Sequence, residues 1–127
     1  MIIGIGTDII TISRIARLMD RYGDIFLARV FTPEERRPNA PAAHYAKRFA
    51  AKEALLKAIG TGLRSGMSWQ DMTVTKTPLG QPFLTVTGGV AKALPPGARL
   101  HLSLSDDGDL AMAFVVVEDV VRGSGGK

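Results

Sequence analysis

Residues 42–60, AAHYAKRFAAKEALLKAIG, read as one long helix with a carboxylate on its core side, and no other segment constrains the fold as strongly. Glu53 shares a stripe with Ala46, Phe49, Leu56 and Gly60, because residues three, four and seven apart lie on one helix face. Burying an unpaired carboxylate costs several kcal/mol by order of magnitude, so such a residue needs a cation, a hydrogen-bond network or a raised pKa. Lys57, one turn on, offers a cation. Two readings follow: a Glu53–Lys57 pair that staples the helix, or a carboxylate kept there for chemistry.

The N-terminus supplies a second acid in a comparable setting. MIIGIGTDII, read with period two, turns Ile3, Ile5 and Thr7 one way and Ile2, Gly4, Gly6 and Asp8 the other. This predicts a strand ending at Asp8, with glycines that let another backbone or a ligand approach closely. Asp8 could cap the helix that follows, in competition with Thr11 and Ser13. Alternatively, a strand-end Asp and a core-facing Glu are the minimal protein contribution to a Mg2+ site, since Mg2+ keeps several waters and takes further oxygens from substrate phosphates.

Around these two segments the pattern is mixed. Ile12, Ile15, Ala16, Leu18, Met19 and Tyr22 recur at helical spacing and stop at Gly23, a C-terminal cap. Thr32-Pro33-Glu34-Glu35 reads as a capping box opening a short second helix, followed by a loop from Arg36 to Pro41. MTVTK and PFLTV flank TPLGQ as one hairpin, Gly88 to Leu94 forms a short helix, and ARLHLSLS and LAMAFVVVE flank DDGD as a second hairpin. The order predicts an α+β fold, a long helix packed on a small antiparallel sheet. The run from Leu110 to Val117 is nearly continuous in apolar residues, which suits burial on both faces. A chain of 127 residues with 46% hydrophobic content predicts a single domain, residues 1–119, with a disordered tail at 120–127.

Several classes are excluded. With no cysteine, disulfide staples and Cys-based metal sites are ruled out. No apolar run approaches the roughly 20 residues of a membrane span, and the start lacks a basic region and cleavage site, so a cytoplasmic protein is expected. A net charge of +4 points to anionic partners. A small RNA-binding domain would suit the charge, but the eight aromatics form no basic-aromatic platform, and that reading leaves Asp8 and Glu53 without a role. No nucleic-acid partner is therefore expected.

GIGTDI near the start, RFAAKEALLKAIGTG in the middle, GQP in a later turn and HLSLS near the end stand in the order and spacing of a known family. Over about residues 2–118 the chain resembles the holo-acyl-carrier-protein synthases, the small bacterial 4′-phosphopantetheinyl transferases. The resemblance implies transfer of 4′-phosphopantetheine from coenzyme A to a serine of an apo-acyl carrier protein of fatty-acid synthesis, with Mg2+ as cofactor and 3′,5′-ADP leaving. It also implies a homotrimer with active sites between subunits. Carried over residue by residue, Asp8 and Glu53 are the Mg2+ ligands, and Lys57 offsets charge on the phosphates.

Weaker candidates complete the set. Arg48 suits a phosphate bidentately, or is simply a solvated helix position. Gly60 and Gly62 turn the chain sharply and let the coenzyme pass near the backbone, although capping alone also explains Gly60. Pro82, in Gly80-Gln81-Pro82, matches a family turn near the nucleotide and equally reads as a simple β-turn. In LHLSLS the polar residues His101, Ser103 and Ser105 share one strand face, either solvent-facing or, by resemblance, with His101 and Ser103 toward coenzyme A. Asp106-Asp107 departs from the family pattern, and an acid there would repel phosphate.

Arg14, Arg17 and Arg21 form a basic stripe at i, i+3 and i+7. Carrier proteins present an acidic helix, so the stripe reads as their dock, the alternative being a solvated face partly neutralised by Asp20 and Asp24. Charge-driven docking weakens with screening, so raising ionic strength from about 0.05 to about 0.3 M is expected to increase the KM for carrier protein several-fold. A flat response, together with unchanged kinetics for Arg14→Glu, would remove the stripe from docking.

Overall fold

The computed structural model describes residues 1–120, and the tail expected from the sequence lies, from residue 121 on, outside the described residues. Ten elements follow one another: β1 (Ile2–Thr11), α1 (Ile12–Tyr22), α2 (Asp24–Val30), α3 (Ala42–Ile59), a 3₁₀ turn (Trp69–Asp71), β2 (Met72–Lys76), β3 (Pro82–Val86), α4 (Gly88–Lys92), β4 (Arg99–Asp107) and β5 (Leu110–Glu118). β1, β5 and β4 form one antiparallel sheet in that order, and β2 and β3 form a separate hairpin. α3 lies across the inner face of β1 and β5, so the fold is α+β with one long helix on a small antiparallel sheet.

Two glycines decide how close that helix comes. Gly4 and Gly6 face α3, and a Cβ on either would run into the backbone carbonyls of Ala58 and Ala54 respectively. Small residues on both sides continue the contact: Ala50, Ala51 and Ala54 of α3 and Ala111 and Ala113 of β5 are all fully buried. The helix therefore rests almost on the sheet's backbone. Larger side chains fill the space further out, including Phe31, Tyr45, Leu55, Met72 and Val74.

The sheet's other face is open in the single chain. Ile5 is 57% and Ile9 59% exposed on β1, and Met112 is 42% and Phe114 43% exposed on β5. The apolar run from Leu110 to Val117 thus alternates, with Ala111, Ala113, Val115 and Val117 inward and its even-numbered residues outward.

Three local expectations need correction. β1 does not end at Asp8 but continues to Thr11, paired throughout with β5, so Asp8 stands opposite Ala113 within the strand and caps nothing. Thr11 holds the N-cap position of α1 without a side-chain bond; instead Ser13 N–H and Oγ donate to the Asp109 carboxylate at 2.9 and 2.6 Å. No helix begins at Thr32. Residues 33–35 form a turn in which only the Glu35 half of the capping box survives, accepting from Thr32 N–H at 2.9 Å. Tertiary bonds take the rest of Glu35: it accepts from Lys52 Nζ at 2.7 Å and from Val74 N–H at 2.8 Å, which draws it into the core. The second helix instead precedes that turn as α2, its terminal carbonyls held by the Gln70 amide on Ala28 and Phe31 at 2.8 Å.

Two outcomes follow from this packing. Gly6→Ala sets a methyl against the Ala54 carbonyl and is expected to destabilise the fold by about 1–3 kcal/mol, read as a lower urea midpoint. His44 Nε2–H donates to the Glu35 carbonyl at 2.6 Å, and burial lowers the His44 pKa, with the Arg48 and Arg37 charges acting in the same direction. The folded state thus binds this proton less well than the unfolded chain, so stability is intact above about pH 6.5 and is lost as pH falls through the lowered folded value. The decline in melting temperature between about pH 7 and pH 5 is expected to be shallower in His44→Gln; an unchanged slope would deny His44 that role.

Candidate active site

Asp8 is the inward position that follows Gly6 on β1, and Glu53 and Lys57 flank Ala54 on α3, so the close packing of these elements delivers three charged groups to one place. Lys57 Nζ donates to Asp8 Oδ1 at 3.0 Å and to the Thr7 carbonyl at 3.1 Å while remaining largely exposed. The expected alternative pairing of Lys57 with Glu53 is thus replaced by one with Asp8. Glu53 is half-buried, and its pKa is raised first by burial and then by the Asp8 charge, against the opposing pull of Lys57 and Arg14. Two carboxylates near enough to perturb each other, one of them desolvated, stand here with two cations, Lys57 and Arg14, that offset their charge in part.

A cleft of about 510 Å³ opens beside this cluster, lined by Glu53, Leu56, Lys57, Gly60, Gly62 and Leu63. Gly60 ends α3 in the left-handed conformation at φ 89°, and Gly62 repeats the sign at φ 65°, so the chain turns back along the cleft without a side chain in the way. Arg14 reaches the same neighbourhood from α1, as its effect on Glu53 indicates, and Arg17 and Arg21 continue the exposed basic stripe away from it. The site and the basic stripe are therefore contiguous.

The donor set suits a small divalent cation. Among the described residues no group of three or more His, Asp or Glu could enclose an ion by itself. Asp8 and Glu53 could hold Mg2+ as a pair of carboxylates, since that ion takes most of its ligands from waters and substrate oxygens. A divalent charge would also relieve the repulsion that raises the Glu53 pKa.

The other expected site residues lie elsewhere in the single chain. Arg48 is neither a solvated helix residue nor open to the cleft: it is 3% exposed, its Nη1 donates to the His44 carbonyl at 3.0 Å, and its buried Nε has no partner. Five residues before Glu53, it points about 140° away around α3. Pro82 and His101 line a second cleft of about 280 Å³ together with Thr77, Gln81 and Phe83. His101 and Ser103 are on the outward face of the sheet, opposite the side that carries Asp8. His101 Nε2 donates to Glu118 Oε1 at 3.0 Å, a bond that lowers the Glu118 pKa. The acid at Asp106 is neutralised by Lys47 at 3.1 Å, which answers the repulsion expected of it.

Sequence reasoning missed one constellation altogether. Lys52 and Glu35 form a fully buried ion pair immediately beside Glu53. A signal existed: Lys52 lies at i+7 from Tyr45 and i−3 from Leu55, on a stripe that is apolar apart from Arg48.

Comparison with known proteins places the chain in a family. Residues 4–115 match the 4′-phosphopantetheinyl transferase superfamily. The chain is 55% identical over 128 residues to the holo-[acyl-carrier-protein] synthase of Methylobacterium sp. (strain 4-46), an alignment covering 93% of this chain and 95% of the relative. It is 52% identical to the synthase of Xanthobacter autotrophicus, over 96% of this chain and 98% of that one. Its backbone superposes on the crystal structure of the Neisseria meningitidis synthase with a TM-score of 0.80 at 39% identity, covering 94% of this chain and 100% of the other. The Bacillus anthracis synthase in complex with CoA (3′,5′-ADP) gives 0.77 at 35% identity, over 93% and 97% of the two chains. With agreement in sequence and backbone running over nearly its whole length, the chain belongs to the 4′-phosphopantetheinyl transferase superfamily, among the holo-[acyl-carrier-protein] synthases.

Proposed function

We propose that this protein transfers 4′-phosphopantetheine from coenzyme A to a serine of an apo-acyl carrier protein, with Mg2+ held by Asp8 and Glu53. The observation that carries the reading is the paired carboxylates beside a glycine-walled cleft, with Lys57 tethered to one of them. In the reaction the serine oxygen forms a bond to the phosphorus that carries pantetheine, the bond from that phosphorus to the 3′,5′-ADP oxygen breaks, and the serine proton is taken up at Glu53 or at a water beside it. When bound, Mg2+ supplies charge neutralisation and orientation of the phosphates.

The chain's own groups do the rest. Lys57 is fixed at one end by Asp8 and Thr7 and offsets charge gathering on the departing phosphate. Half-burial of Glu53 raises its proton affinity, which favours proton uptake from a hydroxyl. Gly60 and Gly62 admit the coenzyme along the backbone. Arg14, Arg17 and Arg21 receive an acidic carrier protein on a stripe that ends at Glu53, which keeps the acceptor serine within reach.

The active unit is a homotrimer with sites between subunits. Two features support this: the sheet face with Ile5, Ile9, Met112 and Phe114 is apolar and exposed, and Pro82 and His101 line a cleft distant from Glu53 in one chain. Burial of that face against other copies would place the cleft of Pro82 and His101 from one subunit, with Ser103 on the same strand face, beside the carboxylates of another, as a second wall for coenzyme A. Arg48, buried and turned away from the cleft, is left out of the phosphate site. The protein works in the cytoplasm, in fatty-acid synthesis; among the described residues no helix is long and apolar enough to cross a membrane.

The test is intact-mass analysis of an apo-acyl carrier protein incubated with this protein, coenzyme A and Mg2+. A gain of one phosphopantetheine that EDTA prevents is expected, as is a turnover at least about a hundredfold lower for Glu53→Gln with the melting temperature preserved. Full activity in that variant, or no gain with several apo carriers, would overturn the assignment.

A further inference from the structure

We propose that the buried Lys52–Glu35 pair is a positioning device that sets the rotation of α3 and so aims Glu53 at Asp8. The inference rests on the transferase reading of the site and adds to it two residues that do not touch the cleft.

The pair is saturated with directional bonds. Lys52 Nζ spends its donors on Glu35 Oε1 at 2.7 Å, the Val30 carbonyl at 2.7 Å and the Trp69 carbonyl at 3.2 Å. Glu35 Oε1 also accepts from Thr32 N–H at 2.9 Å, and its Oε2 accepts from Val74 N–H at 2.8 Å. One side chain of α3 is thereby tied to the end of α2, the turn after it, the 3₁₀ turn and β2. Neither charged side chain meets solvent, and burial lowers the Lys52 pKa while Glu35 opposes the change.

Such bonds matter because the rest of α3 gives little sense of direction. Its buried residues lie all round the helix and many are alanine, so hydrophobic burial has no single face to turn inward, and small side chains interlock weakly. A buried ion pair is seldom worth net stability over apolar residues of the same volume, but its geometry is specific. Successive residues stand about 100° apart on a helix, so fixing the direction of Lys52 fixes that of Glu53. The glycine contacts of β1 hold the other side of α3, and the carboxylate sits between these two restraints.

Three proteins are compared: the wild type, Lys52→Met, and the double variant Lys52→Met with Glu35→Leu, which removes both charges. Melting temperature, Mg2+ affinity by calorimetry in the presence of coenzyme A, and kcat and KM for carrier protein are measured. The single variant leaves a carboxylate unpaired and is expected to be destabilised. The double variant is expected to recover much of the melting temperature. Its kcat nevertheless stays lower by on the order of tenfold to a hundredfold, with Mg2+ affinity reduced and the carrier KM within about twofold. Wild-type kcat and Mg2+ affinity in the double variant would overturn the inference, as would a loss of kcat that tracks melting temperature alone across the variants. Failure of the wild type to load any carrier would strike the transferase reading instead.

Discussion

Backbone-to-backbone packing of β1 on α3 is the constraint from which the rest of the structure follows. Gly4 and Gly6 bring the strand onto the carbonyls of Ala58 and Ala54, a separation at which no side chain fits between the two elements. Asp8 is the next inward residue of the strand, and Glu53 and Lys57 are the charged neighbours of that contact on the helix. The Asp8–Lys57 bond at 3.0 Å is thus a direct product of packing. A wider spacing would separate the carboxylates and weaken what raises the Glu53 pKa, burial first and the Asp8 charge second.

The charged groups divide into two systems with different work. Glu53 and Lys57 line a cleft, with Asp8 bonded to Lys57 and Arg14 acting on Glu53, and this group is partly solvated and open to a ligand. Lys52 and Glu35 are dry, mutually neutralised and fully bonded, and so hold geometry while binding nothing. That the two systems occupy adjacent residues of one helix links the chemistry of the site to the rigidity of its support.

Much of the architecture was legible because local periodicity and tertiary burial agree. α1, α3, both hairpins and the placement of Gly4, Gly6 and Asp8 on one strand face opposite Ile3 and Ile5 follow from periodicity alone, whereas which face turns inward does not, since the exposed isoleucines would have suggested the reverse. Where they disagree, the local rule lost. Thr32 to Glu35 has the residues of a helix start, yet Glu35 finds Lys52 and Val74 in the core, and the helix is not built. Asp8 has the look of a cap, yet Asp109, distant in sequence, takes that task at Ser13. In both cases a residue far along the chain offered a stronger partner than any neighbour.

The sequence by itself singled out Asp8, Glu53 and Lys57 as candidates: the cost of a core-facing carboxylate is legible from the spacing of Glu53, while capping for Asp8 and a helix staple for Glu53 and Lys57 stayed open until the family resemblance favoured chemistry. Only the tertiary structure decided their partners. Lys57 joined Asp8 instead of Glu53, Lys52 joined Glu35, and Arg48 was withdrawn from solvent. The physical reason is that spacing along a helix fixes the direction of a side chain, whereas its partner depends on how closely two distant backbones approach, and here two glycines set that distance.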